Sequence, residues 1–227
     1  QIRRQNSAGM VRSVRVSPLG LRHRCRRRRL PASTPLAAAP AAPRELEPAW
    51  DNPLVRVMEV PSDYDMPQLA GSRVLLLDAT GNLHSLAYAD AKRITNSYWD
   101  YFAGVVPLLP PATEERQSMA LLGLGGATGA RLTHAYFPRV HTHGWELDGS
   151  VVAAAREHMY ARELESAGGL TIHVGDALAD GALAEAAASV GGFGAIGVDL
   201  FADGELLPEL EEASAWREFG RHLRAGG

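Results

Sequence analysis

The chain has 227 residues, 46% of them hydrophobic, a single cysteine (Cys25) and a formal net charge of −3. That length allows one sizeable domain with appendages. One cysteine excludes an intrachain disulfide and a cysteine-based zinc site, and no uncharged apolar run approaches the length of a membrane-spanning helix. The charge is unevenly placed: residues 1–44 hold eleven arginines and no Asp or Glu, and the remainder carries 12 basic and 26 acidic groups, a formal net of −14. An acidic body suits a cationic small-molecule substrate and argues against nucleic acid as the partner.

Residues 1–46 read as a leader outside the fold. The stretch is arginine-rich, carries Ser7, Ser13, Ser17 and Ser33, and ends in the low-complexity run PASTPLAAAPAAP. That is the composition of an organelle transit peptide or a disordered segment. Arg26–Arg29 taken alone also reads as a nuclear or nucleic-acid patch, but the missing acid favours targeting. Both ends read as those of a piece of a longer reading frame: Gln1 opens the chain, Met10 is its first methionine, and LRAGG (Leu223–Gly227) closes it where a further strand is expected.

Residues 47–110 read as a small β-hairpin unit with a linking helix. Residues 54–60 suit a strand, and 73–78 and 83–88 suit the arms of a hairpin around the turn-rich Ala-Thr-Gly-Asn. Ser97 is a candidate N-cap for a helix running to Leu109 and stopped by Pro110 and Pro111. Residues 111–227 then alternate: strand 118–124, helix 129–136, strand 140–147, helix 149–166, strand 170–174, helix 179–189, strand 193–200 and helix 208–224. This pattern predicts an α/β fold with a parallel, doubly wound sheet. Ligands on such sheets lie beyond the carboxyl ends of the strands.

The chemistry gathers at those ends. Gly123, Gly125 and Gly126 make a glycine-rich turn between the first strand and its helix, and Glu146 closes the second strand about twenty residues on, the form of a nucleotide-binding β-α-β unit. Glu146 can accept hydrogen bonds from two ribose hydroxyls. Asp176 follows the third strand and can accept from an adenine amino group, although taken singly it also suits an Asx turn. Asp199 ends the fourth strand, facing the reacting carbon. Three acids around one site repel a pyrophosphate and favour a sulfonium, so S-adenosylmethionine or its decarboxylated form fits better than NAD. No histidine pair has usable metal spacing, and no metal is expected.

From about Arg56 onward the chain resembles the spermidine synthase-like aminopropyltransferases, including divergent plastid members. The resemblance rests on VLLLDATGNLHS, SYWDYFAG, LLGLGGATG, GWELD, HVGDA and VDLFADGELLP, in that order. It implies a Rossmann-like S-adenosylmethionine-dependent methyltransferase fold behind a small N-terminal β-unit. It also implies transfer of an aminopropyl group to a diamine in polyamine biosynthesis. In that reading Asp199 is the base and Tyr98 a catalytic and substrate-pocket tyrosine. Gly123, Gly125, Gly126, Thr128, Glu146 and Asp176 hold the nucleoside, and Asp100, Asp203 and Glu205 line the substrate side. A plastid stroma location follows, with the mitochondrion as the alternative, and a homodimer is left open. The chain departs from the family where Thr128 replaces an acid that pairs with the aminopropyl amine, where His84 replaces a glutamine and where Trp99 replaces a histidine. Asp203 also falls four residues past Asp199 rather than three. These departures keep two further readings in view: a methyltransferase on the same scaffold, and a non-catalytic organellar protein that retains the fold.

Overall fold

A computed structural model describes residues 41–47, 52–78, 81–109, 117–202 and 205–225. These belong to one unit spanning residues 39–227. Residues 1–40 of the expected leader lie outside the described residues, as do Ala79, Thr80, Pro110, Pro111 and Asp203.

The elements in chain order are strands β1 (Arg44–Glu45), β2 (Arg56–Glu59), β3 (Ser72–Leu76) and β4 (Ser85–Tyr88), helix α1 (Trp99–Gly104), β5 (Gln117–Leu122), α2 (Thr128–Tyr136), β6 (Val140–Glu146), α3 (Gly149–His158), α4 (Ala161–Ser166), β7 (Leu170–Val174), α5 (Ala184–Ser189), β8 (Ala195–Val198), the short pair β9 (Phe201–Ala202) and β10 (Glu205–Leu206), and α6 (Ala213–Arg221). Strands β1 to β4 form an antiparallel sheet in sequence order. Arg44 and Glu45 pair with Glu59 and Met58, so the sheet begins two residues inside the segment assigned to the leader. Alternation along the strands splits the apolar residues between the two faces. Val57, Leu75 and Ala87 pack on Val151, Ala154 and Met159 around α3, while Val74, Leu86 and Tyr88 pack with Trp99 of α1. Strand β4 is therefore buried along its whole length.

The second sheet is parallel, in the order β7-β6-β5-β8. The chain steps outward from β5 to β6 to β7, then crosses back to place β8 on the other side of β5. The connections reverse direction between β5 and β8, and a switch point of this kind opens a crevice at the carboxyl ends of the two strands. Central β5 is deeply buried, with Met119, Ala120, Leu121 and Leu122 all at 2% exposure or less. Beyond α6, Leu223 forms a parallel bridge with Phe193, just before β8.

Four expected helices differ from those found. The helix expected over 149–166 is two, because Tyr160 turns into the left-handed region (φ 64°). Its ring lies under the guanidinium groups of Arg73 and Arg131, 5.0 and 4.6 Å from the centroid, and Arg73 donates to the His158 carbonyl at the end of α3. The helix expected from Ser97 starts later, at Trp99, and passes into a 3-10 turn over Val106–Leu108. Ser97 does not cap it. The Asp100 carboxylate instead reaches back to the amides of Thr95 and Asn96 and the Thr95 hydroxyl. The stretch 179–183 is a run of turns, with Gly181 at φ 77°, leaving only Ala184–Ser189 helical. Pro208 opens a 3-10 turn over Pro208–Glu211, and extended Glu212 separates it from α6.

Candidate active site

The loop from Gly123 to Ala127 leaves β5 at the switch point, and its geometry explains each glycine differently. Gly123 has φ 86°, and a Cβ there would lie 2.1 Å from the Asp199 carbonyl oxygen, so the loop passes directly against the end of β8. A Cβ on Gly126 would meet the Ser85 Cβ at 2.7 Å. The loop is thus pressed between β8 and the N-terminal sheet.

Five consecutive loop amides already have partners. Gly123 and Leu124 donate to the Trp145 carbonyl, and Ala127 donates to the Leu124 carbonyl. Gly125 donates to the Glu146 carboxylate at 2.8 Å, and Gly126 to the Ser85 hydroxyl at 2.8 Å. A phosphate cradle needs free backbone amides pointing at the anion, and this loop has none to offer. The turn is built to bring backbone close to a ligand, not to bind a pyrophosphate.

Glu146 sits at the last position of β6 and receives a second amide, that of Asp148, at 3.1 Å. Burial raises its pKa above the ordinary carboxylate value, against the pull of those amides. Two amide hydrogen bonds fix the carboxylate, and its remaining lone pairs can still accept from hydroxyl groups.

Asp199 lies one residue past β8, and its backbone amide donates to the Leu122 carbonyl at 2.7 Å. Its carboxyl is coupled electrostatically to the Tyr98 hydroxyl, delivered by the residue just before α1. Burial pushes the Asp199 pKa up to about 6, and the charge of Glu146 adds to that, while Tyr98 and His84 pull the other way. Tyr98 is itself raised, first by burial and then by the Asp199 charge. A carboxylate whose pKa lies near the working pH is suited to take a proton and pass it on. His84 enters from the hairpin, with its Nε2 3.2 Å from the Asp78 carboxylate.

The structure thus brings Tyr98, Asp199, Glu146 and the glycine loop together, with His84 beside them. It uses other expected site residues differently. Thr128 is 3% exposed, and its hydroxyl donates to the Leu86 carbonyl and accepts from the Leu86 amide, each at 3.0 Å. Asp100 serves the turn before α1. Asp176 is exposed, and its carboxylate accepts from the Leu178 amide at 2.8 Å, the local turn allowed for it above. Glu205 is exposed on β10, and Asp203 lies outside the described residues. Ser85 was missed by sequence reasoning. Its only signal is a small polar residue in an otherwise apolar strand, which is too common to single it out.

His141, His143 and His173 cluster on the neighbouring strands β6 and β7. His141 bonds the Gly168 carbonyl and the Thr171 hydroxyl. His143 faces His173 at 3.1 Å, and burial holds His143 down to about 4. Among the described residues no three His, Cys, Asp or Glu side chains gather as metal ligands would, and no helix is long and apolar enough to cross a membrane.

No family model matches the chain, and no curated protein matches it in sequence. Solved structures match it in fold. A probable spermidine synthase from Corynebacterium glutamicum superposes with a TM-score of 0.56 at 16% identity, covering 81% of this chain and 61% of that one. A spermidine synthase in complex with the transition-state analogue AdoDATO superposes with a TM-score of 0.50 at 16% identity, covering 80% and 53%. The chain therefore spans between half and two thirds of the length of these structures. Its fold is theirs: a Rossmann-like α/β domain preceded by a small antiparallel sheet.

Proposed function

We propose that the protein is a transferase that binds a sulfonium nucleoside, S-adenosylmethionine or its decarboxylated form, and passes one of its carbon groups to an amine. The observation that carries this reading is the part-buried Asp199 carboxyl at the switch point, coupled to Tyr98 and beside a glycine loop whose amides leave no place for a phosphate. Glu146 holds the ribose hydroxyls. The ionised Asp199 attracts the sulfonium and accepts the proton that an attacking ammonium has to lose. The sulfonium is already a good leaving group, so the protein's task is to hold donor and acceptor in line and keep the acceptor amine neutral.

The finer reading is aminopropyl transfer to a diamine such as putrescine. It is supported by the order of the motifs and by the fold shared with spermidine synthases. Methyl transfer is the second reading, favoured by one observation: Thr128 occupies the place of an amine-pairing acid, and its hydroxyl is bonded to Leu86. Plastid targeting by residues 1–46 belongs to the same proposal and rests on their composition alone. The test is release of methylthioadenosine from decarboxylated S-adenosylmethionine and putrescine by the full-length protein. Turnover lost in Asp199→Asn supports aminopropyl transfer. No release by folded protein that methylates an amine from intact S-adenosylmethionine rejects it in favour of the second reading.

A further inference from the structure

Two glycines that face Phe102 have no backbone reason to be glycine. Gly129 lies inside α2 and Gly197 inside β8, and neither has a positive φ. Glycine in a helix interior is about 1 kcal/mol worse than alanine, and glycine weakens a strand interior. Both positions are hollows filled by one side chain. A Cβ on Gly129 would lie 2.8 Å from Phe102 Cδ2, and a Cβ on Gly197 would lie 2.7 Å from Phe102 Cδ1. The opposite edges of a single ring are seated in a helix on one side and a strand on the other.

The placement of these hollows ties Phe102 to the reacting pair. Gly197 stands two residues before Asp199 on the same strand. Phe102 stands on α1, four residues after Tyr98, a spacing that puts both side chains on one helix face. Their rings meet edge-on with centroids 6.4 Å apart. Tyr98 is 45% exposed, and its ring is held between those of Trp99, 4.8 Å away, and Phe102.

We propose that Phe102 is the positioning residue of the Tyr98–Asp199 pair: its ring, keyed into the hollows at Gly129 and Gly197, sets α1 against β8 and so fixes where Tyr98 stands relative to Asp199. This rests on the reading of Tyr98 and Asp199 as the reacting pair. A ring that only filled the core would affect stability and leave the coupling of the pair alone.

The experiment follows the titration of the Asp199 carboxyl by carbon-13 NMR of the full-length protein, in wild type, Tyr98→Phe, Phe102→Leu and the double variant. A hydrogen bond to the ionised carboxylate lowers its pKa, so Tyr98→Phe raises the midpoint by roughly one pH unit. Phe102→Leu is expected to raise it in the same direction, and the double variant to go no further than Tyr98→Phe alone. A Phe102→Leu protein with the wild-type midpoint, or a double variant in which the two shifts add, overturns the proposal. If Phe102→Leu does not fold, Gly197→Ala displaces the ring without removing it. The same rise is then expected, and an unchanged midpoint overturns the proposal equally. The titration needs no ligand. Failure of every sulfonium nucleoside to bind, with the coupling intact, would therefore remove the functional reading and leave the positioning role in place.

Discussion

Asp199 carries the largest conflict between stability and function in the site. Its pKa rises from 3.8 to about 6 in the folded protein. Between those values the native state holds a proton that the unfolded state has lost. Stability from this group is therefore fully present below 3.8 and is lost as pH rises through about 6. At neutral pH the fold carries a half-buried charge that a cationic ligand would neutralise. Asp199→Asn is expected to melt at a higher temperature than wild type at pH 7, with the gap closing as pH falls toward 3.8. The same variant should lose roughly 10²–10⁴ in turnover, the usual contribution of a general base. Melting curves across pH, set beside initial rates, check both halves, and a variant less stable than wild type at pH 7 would contradict the burial argument. Glu146 and Asp199 could be placed from the sequence because each stands at the end of a strand that aims at the switch point, whereas Tyr98 was placed only by the family resemblance. Thr128 and Asp100 stand at equally suggestive positions, but their side chains turn to local backbone. A motif position does not reveal that choice, because the competing partners, Leu86 and the Thr95–Asn96 turn, come from outside the motif.

The element that most shapes the site is β4. Three of its neighbouring residues in sequence line the glycine loop: the His84 carbonyl lies 3.6 Å from a Cβ placed on Gly125, Ser85 holds the Gly126 amide, and Leu86 holds Thr128. The hairpin thereby fixes the height of the loop from above, while β8 fixes it from below. Thr128→Val keeps the volume and deletes both hydrogen bonds, leaving the Leu86 amide and carbonyl unpartnered in the core. A loss of about 1–3 kcal/mol is expected, read by denaturant unfolding, and a change below about 0.5 kcal/mol would show the clamp to be dispensable. The parallel strands were legible from apolar runs punctuated by glycine, and β7 was placed at its observed ends, Leu170 and Val174. The break between α3 and α4 was not legible. A tyrosine at positive φ runs against local preference, and what holds it there is a pair of arginines from β3 and α2, distant in sequence.

At the scale of the whole molecule, the order β7-β6-β5-β8 leaves one crevice in which a ligand from the loop side can meet an acid from the strand side. Strand–helix alternation with short connections implied a parallel, doubly wound sheet, which is why the fold class could be read from sequence, while the strand order came only with the structure. The ligand could be read only as far as its charge. Sequence reasoning excluded a pyrophosphate by counting acids, whereas the structure supports the same conclusion by another route, since the loop amides from Gly123 to Ala127 are all engaged. The choice between aminopropyl and methyl transfer turns on how the far end of the donor is held, and the motif that would announce it is altered at Thr128.

The central claim is that this crevice holds a positively charged sulfur nucleoside, and calorimetric titration of the full-length protein tests it most directly. S-Adenosylmethionine, its decarboxylated form and NAD would each be titrated at pH 5 and pH 7. The account predicts that at least one sulfonium nucleoside binds, more tightly at pH 7 where Asp199 is ionised, and that NAD does not. Binding of NAD with neither sulfonium nucleoside bound, or sulfonium binding that weakens from pH 5 to pH 7, would contradict it.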